Sequence, residues 1–334
     1  MTAWELTGRP GGPALVPPEG VVARVQALGA PLSADVLPLL GERALASGFT
    51  RSGTTTCGGA GRLLRAADGW LAVNLPRDDD LASVPAWLEV EGSSPWPTVE
   101  AVVPHRTCVD LVSRAELLGL PVAALGEVPA PAAPVRVVRT GEAPALKAPP
   151  LVADLSALWA GPLCTRLLAE RGAEVVKVES PSRPDGARRG SPAFFDQLNA
   201  GKRAMVCDLR GPELAGLLSR ADVVVVAARA RALAQLGLVV ERFAPKVWLS
   251  ISGYGTSTDR VAFGDDAAVA GGLVVEDAAG PVFLADAVAD PLTGVAAAAA
   301  VDIALRSEGR WVVDAALAGV AAWVAAGAGD RSPA

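Results

Sequence analysis

Histidine is almost missing from this sequence: the one imidazole is His105, in the stretch VVPHRT. A Ser-His-Asp enzyme or a histidine-ligated metal centre would have to be built on that single residue, so neither is expected. Cysteine is scarce and scattered. Cys57, Cys108, Cys164 and Cys207 form no C-x-x-C pair, which argues against a disulfide frame and against a zinc site. Such spacing suits a reducing compartment, and a cytoplasmic protein is expected. Lysine occurs only at 147, 177, 202 and 246, so arginine carries nearly all of the 30 basic charges, and the net charge is −6. A chain that grips phosphate backbones is usually basic overall, so no nucleic-acid partner is expected. Long apolar runs are also lacking. Residues 291–305 and 315–329 are mainly Ala and Gly, broken by Asp302 or cut short, below the roughly 20 strongly apolar residues of a membrane span. The opening MTAWELTGRPGGP has no basic patch ahead of an apolar core, so no signal peptide is expected there.

What is present is a globular composition. In 334 residues, 51% are apolar, with 35 Gly and 27 Pro, enough for a large core and many turns. A Pro/Ala-rich stretch, EVPAPAAPVRVVRTGEAPALKAPP (127–150), divides the chain. Its proline spacing disfavours a helix and reads as an extended tether, or else as an irregular loop within one domain. Beyond it, LVADL (151–155), EVVKVE (174–179), AMVCDL (204–209), DVVVVA (222–227) and VWLSIS (247–252) are short, nearly continuous apolar runs separated by helix-sized segments. That pattern predicts a doubly wound, mostly parallel α/β sheet covered on both faces. Gly161-Pro162 opens a helix that ends at Gly172, and 294–306 and 314–326 read as Ala-rich helices. Before the tether, RLLRAADGWLAVNL (62–75) predicts two strands joined at Asp68-Gly69, followed by a helix ending at Gly119, CVDLVSRAELLGL (108–120). Residues 1–126 therefore read as a smaller α+β domain and 151–334 as a large Rossmann-like domain.

At 151–179, LVADLSALWAGPLCTRLLAERGAEVVKVE resembles the opening of the class III CoA-transferases, the CaiB/BaiF type, a family that also holds α-methylacyl-CoA racemases. RPDGARRG (183–190), LNAGKRAMVCDLR (198–210), ADVVVVAARARALAQLGL (221–238), VWLSISGYG (247–255) and VADPLTG (288–294) follow in the family's order, so the likeness runs over about 151–317. It implies acyl-CoA and a carboxylic acid as substrates and a homodimer, with no metal and no NAD. CGGAGRLLRAADGWLAVNL (57–75) and RAELLGLPVAALGEV (114–128) resemble the family's small domain, which normally follows the large one. Read so, the chain is a circular permutant jointed at 127–150, a rearrangement compact domains tolerate when their termini lie close together. Otherwise the first half is an unrelated domain or a decayed copy.

Asp290 lies in VADPLTG, ahead of an Ala-rich helix. With Pro291 at the first helical position it would be an N-cap, a role complete in itself. The resemblance implies more, because this residue falls on the family's catalytic aspartate, whose carboxylate attacks the thioester. A helix N-terminus favours the ionised form that such attack needs. Gly58 and Gly59, by spacing a turn before a hairpin, match the glycine loop that lies over the site in transferase members, where backbone amides can approach an oxyanion. Asp265, in FGDDAAVAGG, is by spacing a turn aspartate beside Asp266. The resemblance places it where racemase members carry a histidine, so one of a racemase's two bases is replaced by an acid.

The resemblance puts CoA contacts at Trp159 and Ala160, at Cys207, Asp208, Leu209 and Arg210, and at Ala227 and Ala228. Arg188, Arg189 and Arg229 are added candidates for phosphate, whose oxygens suit an arginine fork. This sequence departs from the family in having Ala227-Ala228 for an Asn-Phe pair, and Ser180 and Gln235 where basic residues are expected. A strand-helix-strand ending in Glu179 imitates a dinucleotide site, but Leu158-Trp159-Ala160-Gly161-Pro162 lacks G-x-G-x-x-G, so no nicotinamide cofactor is expected. Two other readings stay open: an α-methylacyl-CoA racemase, and a non-catalytic CoA-binding subunit.

Overall fold

The computed structural model describes residues 3–91, 94–143 and 145–329. Its strands are β1 (Gly61–Arg65), β2 (Trp70–Asn74), β3 (Val122–Ala124), β4 (Arg136–Gly141), β5 (Leu151–Leu155), β6 (Glu174–Glu179), β7 (Arg203–Val206), β8 (Val223–Val226), β9 (Val247–Ser252), β10 (Val274–Asp277), β11 (Gly280–Phe283) and β12 (Arg310–Ala316). Seven of them form one sheet in the order β4-β12-β9-β8-β5-β6-β7. All neighbours in it run parallel except β4, which lies antiparallel on β12. This is the doubly wound sheet the apolar runs predict. From β5 the chain moves outward through β6 to β7, then returns to the other side of β5 at β8. In such sheets, ligands occupy the crevice outside the carboxyl ends of the strands, at this reversal.

The continuous apolar run of β8 has a direct cause. Val223 and Val225 join one buried cluster while Val224 and Val226 join the cluster on the opposite face, so both sides of the strand are covered. The helices relevant to the site are α1 (Glu19–Gly29), α2 (Glu42–Ser47), α3 (Cys108–Leu118), α4 (Ala160–Glu170), α5 (Pro192–Asn199), α6 (Gly264–Ala270), α7 (Ala289–Arg306) and α8 (Leu317–Ala325). Helix α7 is buried along nearly its whole length, and its alanines let α4 approach closely. Where Gly294 stands, a Cβ would lie 2.7 Å from the Ala160 carbonyl oxygen.

The N-terminal segment packs into this same core. Val21, Val25 and Leu28 recur at helical spacing on α1 and are buried with Leu292, Val295 and Ala299 of α7. Strands β1, β2 and β3 form a separate antiparallel sheet whose own core holds Leu71, Val73, Trp87 and Leu111 of α3. The β1–β2 hairpin, the left-handed Gly119 after α3 and the left-handed Gly172 after α4 lie where the sequence places them.

Three expectations need correction. The stretch 314–326 is not helical throughout: RWVVDAA is strand β12 and the helix begins at Leu317. The aromatic and β-branched residues of RWVV pair on β9, and the alanines after them belong partly to the strand. Segment 127–150 is not wholly a tether, because Arg136–Gly141 is hydrogen-bonded as the edge strand β4. Helix α7 starts at Ala289, so Asp290 is its second residue rather than its cap. Among the described residues no helix is long and apolar enough to cross a membrane.

Candidate active site

The Asp290 carboxylate lies at the first residues of α4 and α6, Ala160 and Gly264, whose backbone N–H groups help to lower its proton affinity. Two helices thus direct their N-termini at a side chain that sits in the first turn of a third, an arrangement that favours the anion. Glycine makes this possible twice. A Cβ at Gly264 would stand 2.5 Å from Asp290 Oδ2 and would collide with the Ala287 carbonyl, and Gly294 admits the start of α4. Burial acts the other way and is the larger influence, so the Asp290 carboxyl titrates at about 6, above its ordinary 3.8. Asp290 as a whole residue is intermediate between buried and exposed.

Around it lie three more buried acids and one cation. Asp286 is fully buried, and Arg43 of α2 forks onto it, with Nε donating to Oδ2 at 2.8 Å and Nη2 donating to Oδ1. Asp265 accepts the Ala287 N–H at 2.9 Å. Its burial, with the Asp286 charge adding to the effect, lifts it to about 7. Asp266 next to it accepts from Asn74 Nδ2 at 3.0 Å and from the Phe263 N–H, and burial raises it to about 7 as well. The Arg43 guanidinium also lies 5.5 Å from the centre of the Trp159 ring.

The loop entering α7 is held against its own preference. Ala285 and Ala287, on either side of Asp286, both adopt left-handed φ values of 53° and 43°. Each costs a non-glycine residue about 1–2 kcal/mol. The surroundings fix them: Thr7 Oγ1 accepts the Ala285 N–H at 3.0 Å, Asp265 accepts the Ala287 N–H, and the Cys57 thiol reaches the Ala285 carbonyl at 3.5 Å. Burial and the nearby acids push the Cys57 thiol up to about 12, so it stays protonated and is no nucleophile at neutral pH. The neighbouring Gly58 comes over this cluster; a Cβ there would lie 3.9 Å from Arg43 Nη2. Gly59 has φ +80°, and a Cβ there would meet nothing within 4 Å.

The expected CoA positions sit along the carboxyl edge of the sheet. Trp159 and Ala160, both buried, follow β5. Cys207 to Arg210 follow β7, with only Cys207 buried, and Ala227, Ala228 and Arg229 are exposed after β8. Arg188 is exposed but already forked onto Glu179, at 3.0 and 2.6 Å, and stacked 4.0 Å over Phe195. Arg210 donates to the Gln235 carbonyl at 3.0 Å. A cleft of about 420 Å³ opens beside Arg188, lined by Lys177, Phe195, Asn199 and Lys202. Lys177 pairs there with Asp185 at 2.8 Å, and Asp185 in turn accepts the Leu158 N–H at 2.9 Å, which orders the turn before Trp159. A second cavity of about 480 Å³, between α1 and the far half of α7, is apolar and does not include Asp290. Among the described residues, no group of three or more His, Cys, Asp or Glu is placed to hold a metal ion.

Residues 148–329 match the family model described as CoA-transferase family III. The chain belongs to that family. It is 34% identical over 188 residues to a succinate–glutarate CoA-transferase of Agrobacterium fabrum, covering 47% of each chain. It is 34% identical over 114 residues to a human alpha-methylacyl-CoA racemase, covering 32% of this chain and 28% of that one. Among solved structures, a CAIB/BAIF family protein from Brucella suis covers 54% of this chain and 55% of that one, at 28% identity and a TM-score of 0.48. The chain spans about half the length, or less, of the curated relatives it matches. The CoA-transferase family III match takes in Asp265, Asp286, Asp290 and the sheet edge, while Thr7, Arg43, Cys57 and Gly58 lie outside it.

Sequence reasoning missed Arg43 and Asp286. Asp286 had a faint signal, since LADAVADP carries two acids four residues apart at a helix start. Arg43 had none, because its partner lies 243 residues away.

Proposed function

We propose that this chain moves coenzyme A between an acyl-CoA and a carboxylic acid, with Asp290 as the covalent nucleophile. The observation that carries the proposal is the Asp290 carboxylate itself: ionised above about pH 6, with Arg43 and the helix-terminal N–H groups of Gly264 and Ala160 opposing the effect of its burial. An oxygen of that carboxylate attacks the thioester carbonyl, and the C–S bond breaks. The products are an acyl-aspartyl anhydride and CoA thiolate. The thiolate then attacks the aspartyl carbonyl, releasing the first acid as its carboxylate and leaving an aspartyl thioester. The acceptor carboxylate displaces CoA from Asp290 as a second anhydride, and the returning thiolate attacks that anhydride at the acceptor carbonyl, which frees Asp290. Backbone amides near Gly58 are the proposed oxyanion donors, each commonly worth about 3–4 kcal/mol. Trp159 and Ala160, the turn 207–210 and the turn 227–229 are proposed to carry the CoA body along the sheet edge. A homodimer in the cytoplasm belongs to the same proposal, and the four free thiols agree with a reducing compartment.

One observation favours a second reading. Asp265, titrating at about 7 against Asp286 and Arg43, has the pKa of an acid–base group, which removal of an α-proton would use. Incubation with a panel of acyl-CoAs and free acids, read by mass spectrometry, decides between the two. A transferase makes new acyl-CoA species that vanish in Asp290→Ala. Deuterium entering the α-position of a methyl-branched acyl-CoA, with no new thioester, overturns the transferase reading.

A further inference from the structure

We infer that Arg43, from the N-terminal segment outside the family match, is the positioning residue of the Asp290 site, clamping the strained loop ahead of the nucleophile and supplying its counter-charge. The inference rests on the transferase reading only for the name of the reaction; the geometry stands apart from it.

The fork from Arg43 ends on Asp286, the residue between the two left-handed alanines. A guanidinium bound through two nitrogens fixes that carboxylate in orientation as well as position, which a single ammonium contact cannot do. Asp286 in turn belongs to the turn whose Ala287 carbonyl accepts the Asp290 N–H at 2.9 Å. Arg43 is therefore two short steps from the nucleophile's own backbone. Its side chain is 30% exposed. It is held from behind by the faces of Phe49 and Trp159, at 5.8 and 5.5 Å.

The charges around Asp290 explain why a cation is needed. Asp286 precedes it on the same loop, Asp266 of α6 adds its charge, Asp265 lies next along α6 against Asp286, and Cys57 is neutral. Arg43 is the largest of the influences that favour the ionised carboxylate, ahead of the Gly264 and Ala160 N–H groups. Without it, Asp290 would lose the largest influence that favours its ionised form. A purely structural ion pair would tie α2 to the loop and leave the titration of Asp290 where it is.

The test is the pH dependence of carbodiimide labelling at Asp290, read by peptide mass spectrometry on the full chain without substrate, in the wild type, Arg43→Met and Arg43→Lys. The wild-type midpoint is expected near 6. Arg43→Met should raise it by about one unit or more, a tenfold change in the ratio of ionised to protonated carboxyl at fixed pH. Arg43→Lys, which keeps the charge and loses the fork, should fall between. An unchanged midpoint in folded Arg43→Met overturns the inference. If that variant does not fold, a wild-type midpoint in Arg43→Lys overturns it instead. Because labelling needs no turnover, a wild type that exchanges no CoA yet shows the shift would sink the proposed reaction and leave the role of Arg43 standing.

Discussion

At Asp290 two opposed forces meet, and their balance sets both activity and stability. Burial raises the carboxyl, while Arg43 and the N–H groups of Gly264 and Ala160 lower it, leaving it at about 6. Attack on a thioester needs the anion, so kcat/KM should fall as pH drops through about 6, with unit slope if Asp290 alone governs it. The stability effect has the opposite sense. The native state holds a proton that an unfolded aspartate, with a pKa of about 3.9, has already released, so folding loses stability as pH rises from about 4 to about 6. Asp290→Asn carries no such charge. It should therefore abolish CoA transfer while gaining on the order of 1 kcal/mol over wild type above pH 7, an advantage that vanishes below about pH 4. Urea titrations at pH 4 and pH 8 check this, and a variant less stable than wild type at pH 8 contradicts it.

At the scale of elements, the site depends on how closely α4, α6 and α7 approach, and small residues set that distance. Gly294→Ala would press a methyl group against the Ala160 carbonyl and Leu163. Such overpacking costs about 1–3 kcal/mol, and it should part the Ala160 N–H from Asp290. The expected result is a lower urea midpoint together with a raised acid limb of the rate profile. A lower midpoint with an unmoved limb would mean that Ala160 does not govern the carboxylate. The parallel strands were legible because burial on both faces writes an unbroken apolar run, as in Val223–Val226. Strand β12 was hidden because DAALAG, which follows its apolar run, is equally at home in a helix, and pairing with β9, joined at Asp314 by β4, makes Asp314–Ala316 extended. The Asp290 neighbourhood was legible through VADPLTG, whereas its partners Arg43 and Thr7 were not. A side chain that meets its partner across more than two hundred residues leaves no spacing to read.

For the molecule as a whole, the N-terminal segment is part of the main core rather than an appendage. Ala3, Val21, Val25, Leu28 and Leu40 are buried in the cluster that holds α7, and ion pairs Arg9–Asp277 at 2.7 Å and Glu42–Arg166 at 2.9 Å tie the same regions. A fragment of residues 148–334 would expose the facing side of α7 and lose the Arg43 fork. It should keep helical far-ultraviolet dichroism, lose the near-ultraviolet signal and bind a hydrophobic dye, as a chain without specific packing does. A sharp cooperative unfolding transition in that fragment would contradict this. Composition suggested a division near 127–150, but it could not show that helices on one side of that stretch complete the core on the other.

The most direct test of the central claim is chemical trapping at Asp290. Hydroxylamine added during acyl-CoA turnover should convert this side chain to a hydroxamate, located by peptide mass spectrometry and absent without acyl-CoA. Continued CoA exchange with no hydroxamate at Asp290, or undiminished exchange by Asp290→Ala, would contradict it.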